Sequence, residues 1–355
     1  MRIAFFVKTI PFNDKTIDHE PIGGTETGVI HLSRSMRDLG HEVIVFTTDP
    51  APPLSDPLYV PLHALNDLGR VDVFVGVRDW NHLFLSVDAK LRFLWTGDSP
   101  LQPYTRGLGD KRVVAQIDTL LAVSEWHADV LCQSSGFPRE KAWVLGNGID
   151  PSLFEGHEPR SRKRLIYSSV PYRGLNLMTE IMPSLIKLHP DLEFHCFGGF
   201  RVYQNQVAEG DVVEFERVLA ALRKFPHFHE HGNVTQKQLA REMMRSSILC
   251  YPNTFEETSC ITALEAQAAG CAIATSALGA LPETVGRAGI LIDGEPGSQA
   301  YLESFIGAVD TLLRDDEMLA SCVAAGREQV EGRTWAAIAG RFSDYLETFY
   351  RETVG

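Results

Sequence analysis

The 355-residue chain has no C-x-x-C pair. Its six cysteines, Cys132, Cys196, Cys250, Cys260, Cys271 and Cys322, are scattered, mostly in apolar runs. That spacing excludes a disulfide-stapled module or a zinc ribbon and predicts reduced, buried thiols of a cytoplasmic protein. Basic charge is scarce, with 33 Lys and Arg against 46 Asp and Glu and a net charge of -13. A general nucleic-acid binder needs a basic face, so that class is excluded, and only a weak peripheral contact with anionic lipid is left open. No apolar run is long enough to span a bilayer, and Met1-Arg2 leads into a strand pattern rather than a signal peptide. There is no low-complexity tract, no repeat of solenoid period, and no G-x-G-x-x-G after the first strand.

What is present is an ordinary globular composition, 44% apolar and 22% charged, in a chain long enough for two cores. Short apolar strand patterns at 2–7, 43–47, 71–76, 91–96 and 120–123 fill the first half. A polar segment, 155–163, contains Pro159 and reads as a linker. The alternation then resumes, with strands at 165–168, 192–197 and 248–251 and helical patterns from Leu175, at 212–224 and at 236–245. Alternating strands and helices in both halves predict two parallel α/β sheets, with ligand at the carboxyl ends of the strands.

The most informative stretch is 251–270, YPNTFEETSCITALEAQAAG. A strand stops at Pro252, a polar turn follows, and Ile261, Leu264 and Ala268 recur on one helical face. Thr258 or Ser259 can cap this helix, leaving the amides of Cys260, Ile261 and Thr262 at an N-terminus that favours phosphate. Glu257 and Glu265 bracket it and can accept hydroxyl hydrogen bonds, the outline of a sugar joined to a nucleoside diphosphate. The plainer reading is a surface turn whose acids suit the helix dipole. Gly23-Gly24 before a helix similarly reads as an anion-binding turn or simply a tight one. Arg173 could neutralise a departing diphosphate or be an ordinary surface arginine. His227, His229 and His231 alternate along one run, but the companions of a zinc motif are missing, so hydrogen-bonded structural histidines and no metal are expected.

Glu257 and Glu265 with seven residues between them, then Ala266, Ala269, Gly270, a strand, and Gly279, Leu281, Pro282 and Glu283, resemble the signature of glycosyltransferase family 4. Those are retaining, nucleotide-sugar-dependent enzymes of the GT-B fold. The resemblance implies two Rossmann-like parallel-sheet α/β domains facing an interdomain cleft. Residues 1–157 would form the acceptor side, 158–334 the donor domain, and 335–355 a terminal helix returning to the first domain. It implies that Glu265 holds ribose hydroxyls, Glu257 sugar hydroxyls, the Cys260 and Ile261 amides a phosphate, and Arg173 the leaving diphosphate. Gly23 and Gly24 would approach donor and acceptor, with Glu26 nearby, and Gly232 and Val234 would border the base. Ser124 and the Asn147-Gly148 turn read as structural. The co-substrate would be a UDP- or GDP-sugar with no cofactor, and the acceptor a glycan, lipid or small molecule. Two departures stand out. A family histidine is replaced by Gly97, with Asp98 as a substitute, and the second diphosphate cation is missing, with Arg201 as a candidate. A covalent intermediate on Glu257 and a same-face reaction are both open, as are an epimerase and a non-catalytic scaffold.

Overall fold

The computed structural model describes residues 1–49, 56–200 and 209–354. The first part of the chain runs β1 (Arg2–Phe6), α1 (Thr16–His19), α2 (Gly24–Asp38), β2 (Glu42–Thr47), β3 (Leu58–Pro61), β4 (Val71–Val77), β5 (Ala89–Trp95), α3 (Lys111–Val114), β6 (Thr119–Ala122), α4 (Glu125–Ser135) and β7 (Ala142–Val144). The second part runs β8 (Arg164–Ser168), α5 (Met178–Leu188), β9 (Glu193–Phe197), α6 (Glu209–Leu222), β10 (Phe228–Glu230), α7 (Gln236–Arg245), β11 (Ile248–Tyr251), α8 (Ile261–Ala269), β12 (Ala272–Ser276), α9 (Leu281–Val285), β13 (Gly289–Ile292), α10 (Gln299–Arg314), α11 (Asp316–Glu331) and α12 (Trp335–Thr353). The chain divides into two compact units, one of residues 1–17, 24–148 and 333–355, the other of 18–23 and 149–332.

The first unit holds a seven-stranded sheet ordered β3-β2-β1-β4-β5-β6-β7, with every pair parallel. Its central strands are buried on both faces, as β1 and β4 show, which is why they read as continuous apolar runs rather than alternating ones. The amphipathic α12 belongs to this unit. Trp335 stacks on His31 of α2 at 5.8 Å, Tyr345 stacks on Trp143 at 4.5 Å, and Phe342 packs against Phe93. Gly148 is needed here, since a Cβ would stand 2.8 Å from the Trp335 amide nitrogen.

The second unit holds a six-stranded parallel sheet ordered β10-β9-β8-β11-β12-β13. The strand order reverses between β8 and β11, so the crevice beyond their carboxyl ends is where an open α/β sheet binds ligand. Part of the segment expected as a linker is built into this unit. Arg160 donates to the carbonyls of Gly270, at 2.7 Å, and of Ala269 and Ser246. A cation on the last carbonyls of α8 complements the negative end of that helix. All six cysteines are buried free thiols. Among the described residues no helix is long and apolar enough to cross a membrane.

Candidate functional site

The loops after β8 and β11 bring the second unit's polar groups together. Fully buried Tyr251 ends β11, and Pro252 breaks the ladder. Asn253, wholly buried, folds the turn by accepting from the Phe255 amide at 3.0 Å and donating to its carbonyl. The loop then presents Glu257, which is 6% exposed. Its Oε1 accepts from Tyr251 Oη at 2.6 Å and from Arg173 Nη1 at 2.8 Å. The Arg173 guanidinium also lies over the Phe255 ring, 4.4 Å from its centroid.

Two glycines let these loops approach. Gly174 has φ 98, and a Cβ there would stand 1.9 Å from the Pro252 carbonyl oxygen, so only glycine seats Arg173 beside β11. Gly279 has φ 59, and its Cβ would lie 2.4 Å from the Glu257 carbonyl oxygen, which accepts from the Ala280 amide at 2.6 Å.

The helix after this loop starts later than its sequence suggests. The sequence offers Thr258 or Ser259 as the cap, but the N-cap is Cys260, with no side-chain cap bond. The amides of Ala263 and Leu264 both return to the Cys260 carbonyl, so those of Ile261 and Thr262 precede the helical ladder. A longer turn after Pro252 is the reason, because it carries Glu257 back to Tyr251 before the helix begins. Glu265 lies in the second turn of α8, 5% exposed, and accepts from Gln236 Nε2 at 2.6 Å. Burial pushes its carboxyl up to about 7, and the Gln236 bond pulls the other way. Burial also raises the Cys260 thiol far above its ordinary value, so it is a packed neutral group there.

Around β8, β9 and β10 the backbone closes in as well. A Cβ on Gly198 would stand 2.3 Å from the Ser169 carbonyl oxygen, and one on Gly199 would stand 2.7 Å from Asn233 Oδ1. The Gly198 amide donates to the Gly232 carbonyl at 3.1 Å. Arg201, the candidate second cation, lies outside the described residues.

In the first unit the strand order reverses between β1 and β4. Gly24 opens α2 and Glu26 in the first helical turn is buried, whereas Gly23, the residue before α2, groups with the second unit. Asp98 is 5% exposed and is gripped by Arg78, with Nε at 2.9 Å and Nη2 at 2.7 Å from its two oxygens. Its carbonyl meets His127 Nε2 at 2.9 Å, and burial lowers that imidazole. Arg78 takes the left-handed region at φ 68 and lies 4.7 Å over Tyr104. Asp98 is thus an ion-paired group beneath an arginine, and Gly97 beside it has space, with Val123 at 3.8 Å from a virtual Cβ.

Arg78, Tyr251, Gln236 and His127 escaped the sequence reading. Each acts through a partner at least six residues away, and no local pattern marks it.

Residues 162–315 match the model of the family described as Glycosyl transferases group 1. The MMP alpha-(1->4)-mannosyltransferase of Mycolicibacterium hassiacum is 27% identical over 238 residues, 65% of this chain and 54% of the relative. The phosphatidyl-myo-inositol mannosyltransferase of Mycolicibacterium smegmatis is 22% identical over 92% of this chain and 90% of its own length. Among solved structures, Anabaena HepE in complex with UDP-glucose superposes with a TM-score of 0.73 at 16% identity, covering 98% of this chain and all of that one. That likeness extends the two-sheet GT-B architecture over nearly the whole chain.

Proposed function

We propose that this chain is a group 1 glycosyltransferase, as its match to that family's model and its mannosyltransferase relatives support, and that it moves a sugar from a nucleoside-diphosphate sugar to an acceptor hydroxyl with retention. One observation carries the reading. Glu257, held by Tyr251 and Arg173, and Glu265, held by Gln236, flank a helix N-terminus at the sheet's switch point. Glu265 accepts from the ribose hydroxyls. The Ile261 and Thr262 amides and the Arg173 guanidinium stabilise charge on the leaving diphosphate, a term that grows as the glycosidic bond breaks. Both donors converge on Oε1 of Glu257, and in this reading Oε2 accepts from a hydroxyl of the donor sugar. A carboxylate so engaged is a poor nucleophile, which supports a same-face path. In that path the departing phosphate oxygen takes the acceptor's proton.

The acceptor is a hydroxyl of a glycan, lipid or small molecule. The relatives named as mannosyltransferases make a hexosyl donor the first to try, and the neighbour solved with UDP-glucose makes uridine diphosphate one of the bases to test. Gly97 without a side chain, beside an Asp98 locked to Arg78, favours binding without transfer as the second reading.

The test is thermal stabilisation of the protein by UDP, GDP, ADP and their sugars, followed by release of the nucleoside diphosphate with acceptor present. A ligand at one hundred times its Kd stabilises the native state by about 2.7 kcal/mol. One nucleotide should stand out and Glu265→Ala should abolish its effect. No shift with any nucleotide would remove the donor site from the argument. A shift without turnover would select the second reading.

A further inference from the structure

At the edge of the second sheet, away from the β8–β11 switch point, three imidazoles and one carboxylate meet along β9, β10 and the residue just after β10. Glu193 and His195 alternate along β9, and His229 of β10 stands directly opposite His195 in the ladder. The His195 ring stacks on that of His229, with centroids 4.4 Å apart. One ligand atom each from Glu193, His195 and His229 falls within 4.8 Å of the others. His231 lies behind them, its Nε2 2.9 Å from His195 Nδ1 and its ring stacked on Phe197 at 4.2 Å.

We propose that Glu193, His195 and His229 bind a divalent transition cation such as zinc, with His231 orienting His195 from behind. The contact between His195 Nε2 and Glu193 Oε2 measures 3.3 Å. A charge-assisted hydrogen bond would close to about 2.7–2.9 Å. A tetrahedral zinc with bonds of about 2.1 Å holds neighbouring ligand atoms about 3.4 Å apart, so this pair already has the spacing of two ligands. When His195 donates its Nδ1 proton to His231, its Nε2 and the Glu193 carboxylate face each other as two acceptors, an arrangement that a cation relieves. Metal-bound histidines commonly have their other nitrogen fixed by such a second partner.

His229 is exposed, so an ion can enter and the ring can swing in to complete the set. Two imidazoles and one carboxylate suit zinc and its neighbours in the first transition row rather than magnesium or calcium. The ion would staple β10, a three-residue edge strand, to β9. Residues 227–231 alone lack the companions of a metal site, and the ladder adds Glu193 and His195 from β9.

The experiment is calorimetric titration of zinc into the full chain, stripped with chelator and carrying no histidine tag, with cobalt as a visible-absorption probe. One ion should bind per chain. His195→Ala and His229→Ala should each weaken it at least 100-fold, and His231→Ala by 10–100-fold. His227→Ala, outside the cluster, should change nothing. Because His229 is exposed, its variant keeps the fold, and unchanged circular dichroism confirms that a lost ion is a lost ligand. No binding, or binding equal in His229→Ala and the native chain, overturns the site.

Discussion

Replacing Glu265 with glutamine isolates the energetic consequence of burying a carboxyl beside the donor site. The native carboxyl titrates at about 7 against an ordinary value of 4.5, because desolvation outweighs the Gln236 hydrogen bond. Between those two pH values the unfolded chain gives up a proton that the folded chain keeps, so stability falls as pH rises, and it levels off above 7. The accumulated cost is about 1 kcal/mol at pH 5 and about 3 kcal/mol at pH 8. Glutamine has no proton to lose, and its carbonyl still accepts from Gln236. Glu265→Gln should therefore gain about 2 kcal/mol on the native protein between pH 5 and pH 8. Urea unfolding of both proteins at intervals across that range measures the difference. If it is constant from pH 5 to pH 8, Glu265 is ionised in the fold throughout and the burial argument fails. The same carboxyl should govern ligand affinity in the proposed role. Only its ionised form accepts from two ribose hydroxyls, so native nucleotide affinity should rise about tenfold per pH unit below 7 and flatten above it. Glu265→Gln should show weak, pH-independent binding.

Arg173→Ala should lower kcat by about 10²–10³, read in single-turnover assays, because a donor aimed at developing charge is lost; an effect confined to KM would return Arg173 to simple binding. Gly174→Ala should destabilise the second unit by more than 2 kcal/mol in thermal or urea unfolding, since its Cβ would stand 1.9 Å from the Pro252 carbonyl oxygen at φ 98. Asp98→Asn should cost about 1–3 kcal/mol by leaving Arg78 without its carboxylate. Gly97→Ala, whose Cβ would make only ordinary contacts with Val123, should remain within about 0.5 kcal/mol of native stability by the same measurement.

Much of the architecture is legible along the chain, and particular residues show why. The apolar run before Pro252 predicts β11, and the helix expected over 236–245 is α7. The pair Glu257 and Glu265 is visible because its members sit eight positions apart across one turn and one helix start. By contrast, the cap at Cys260 is not legible along the chain, because the turn's path depends on Tyr251 drawing Glu257 back to the strand. Arg160 read as linker because its role, on the carbonyls of 246, 269 and 270, lies more than eighty residues away.

The sequence alone therefore determined the strand–helix alternation, the two parallel sheets and the identity of the carboxylate pair. Periodicity, breakers and short motifs are local, and a local pattern survives in one dimension. Tertiary structure decided the chemistry of those groups: Arg173 and Tyr251 on Glu257, the burial that raises Glu265, Arg78 on Asp98, and Glu193 and His195 beside His229. Each of these depends on which strands lie side by side in a parallel sheet. Crossover connections bring loops dozens of residues apart to one edge, and charge, burial and proton affinity are set only once they arrive there.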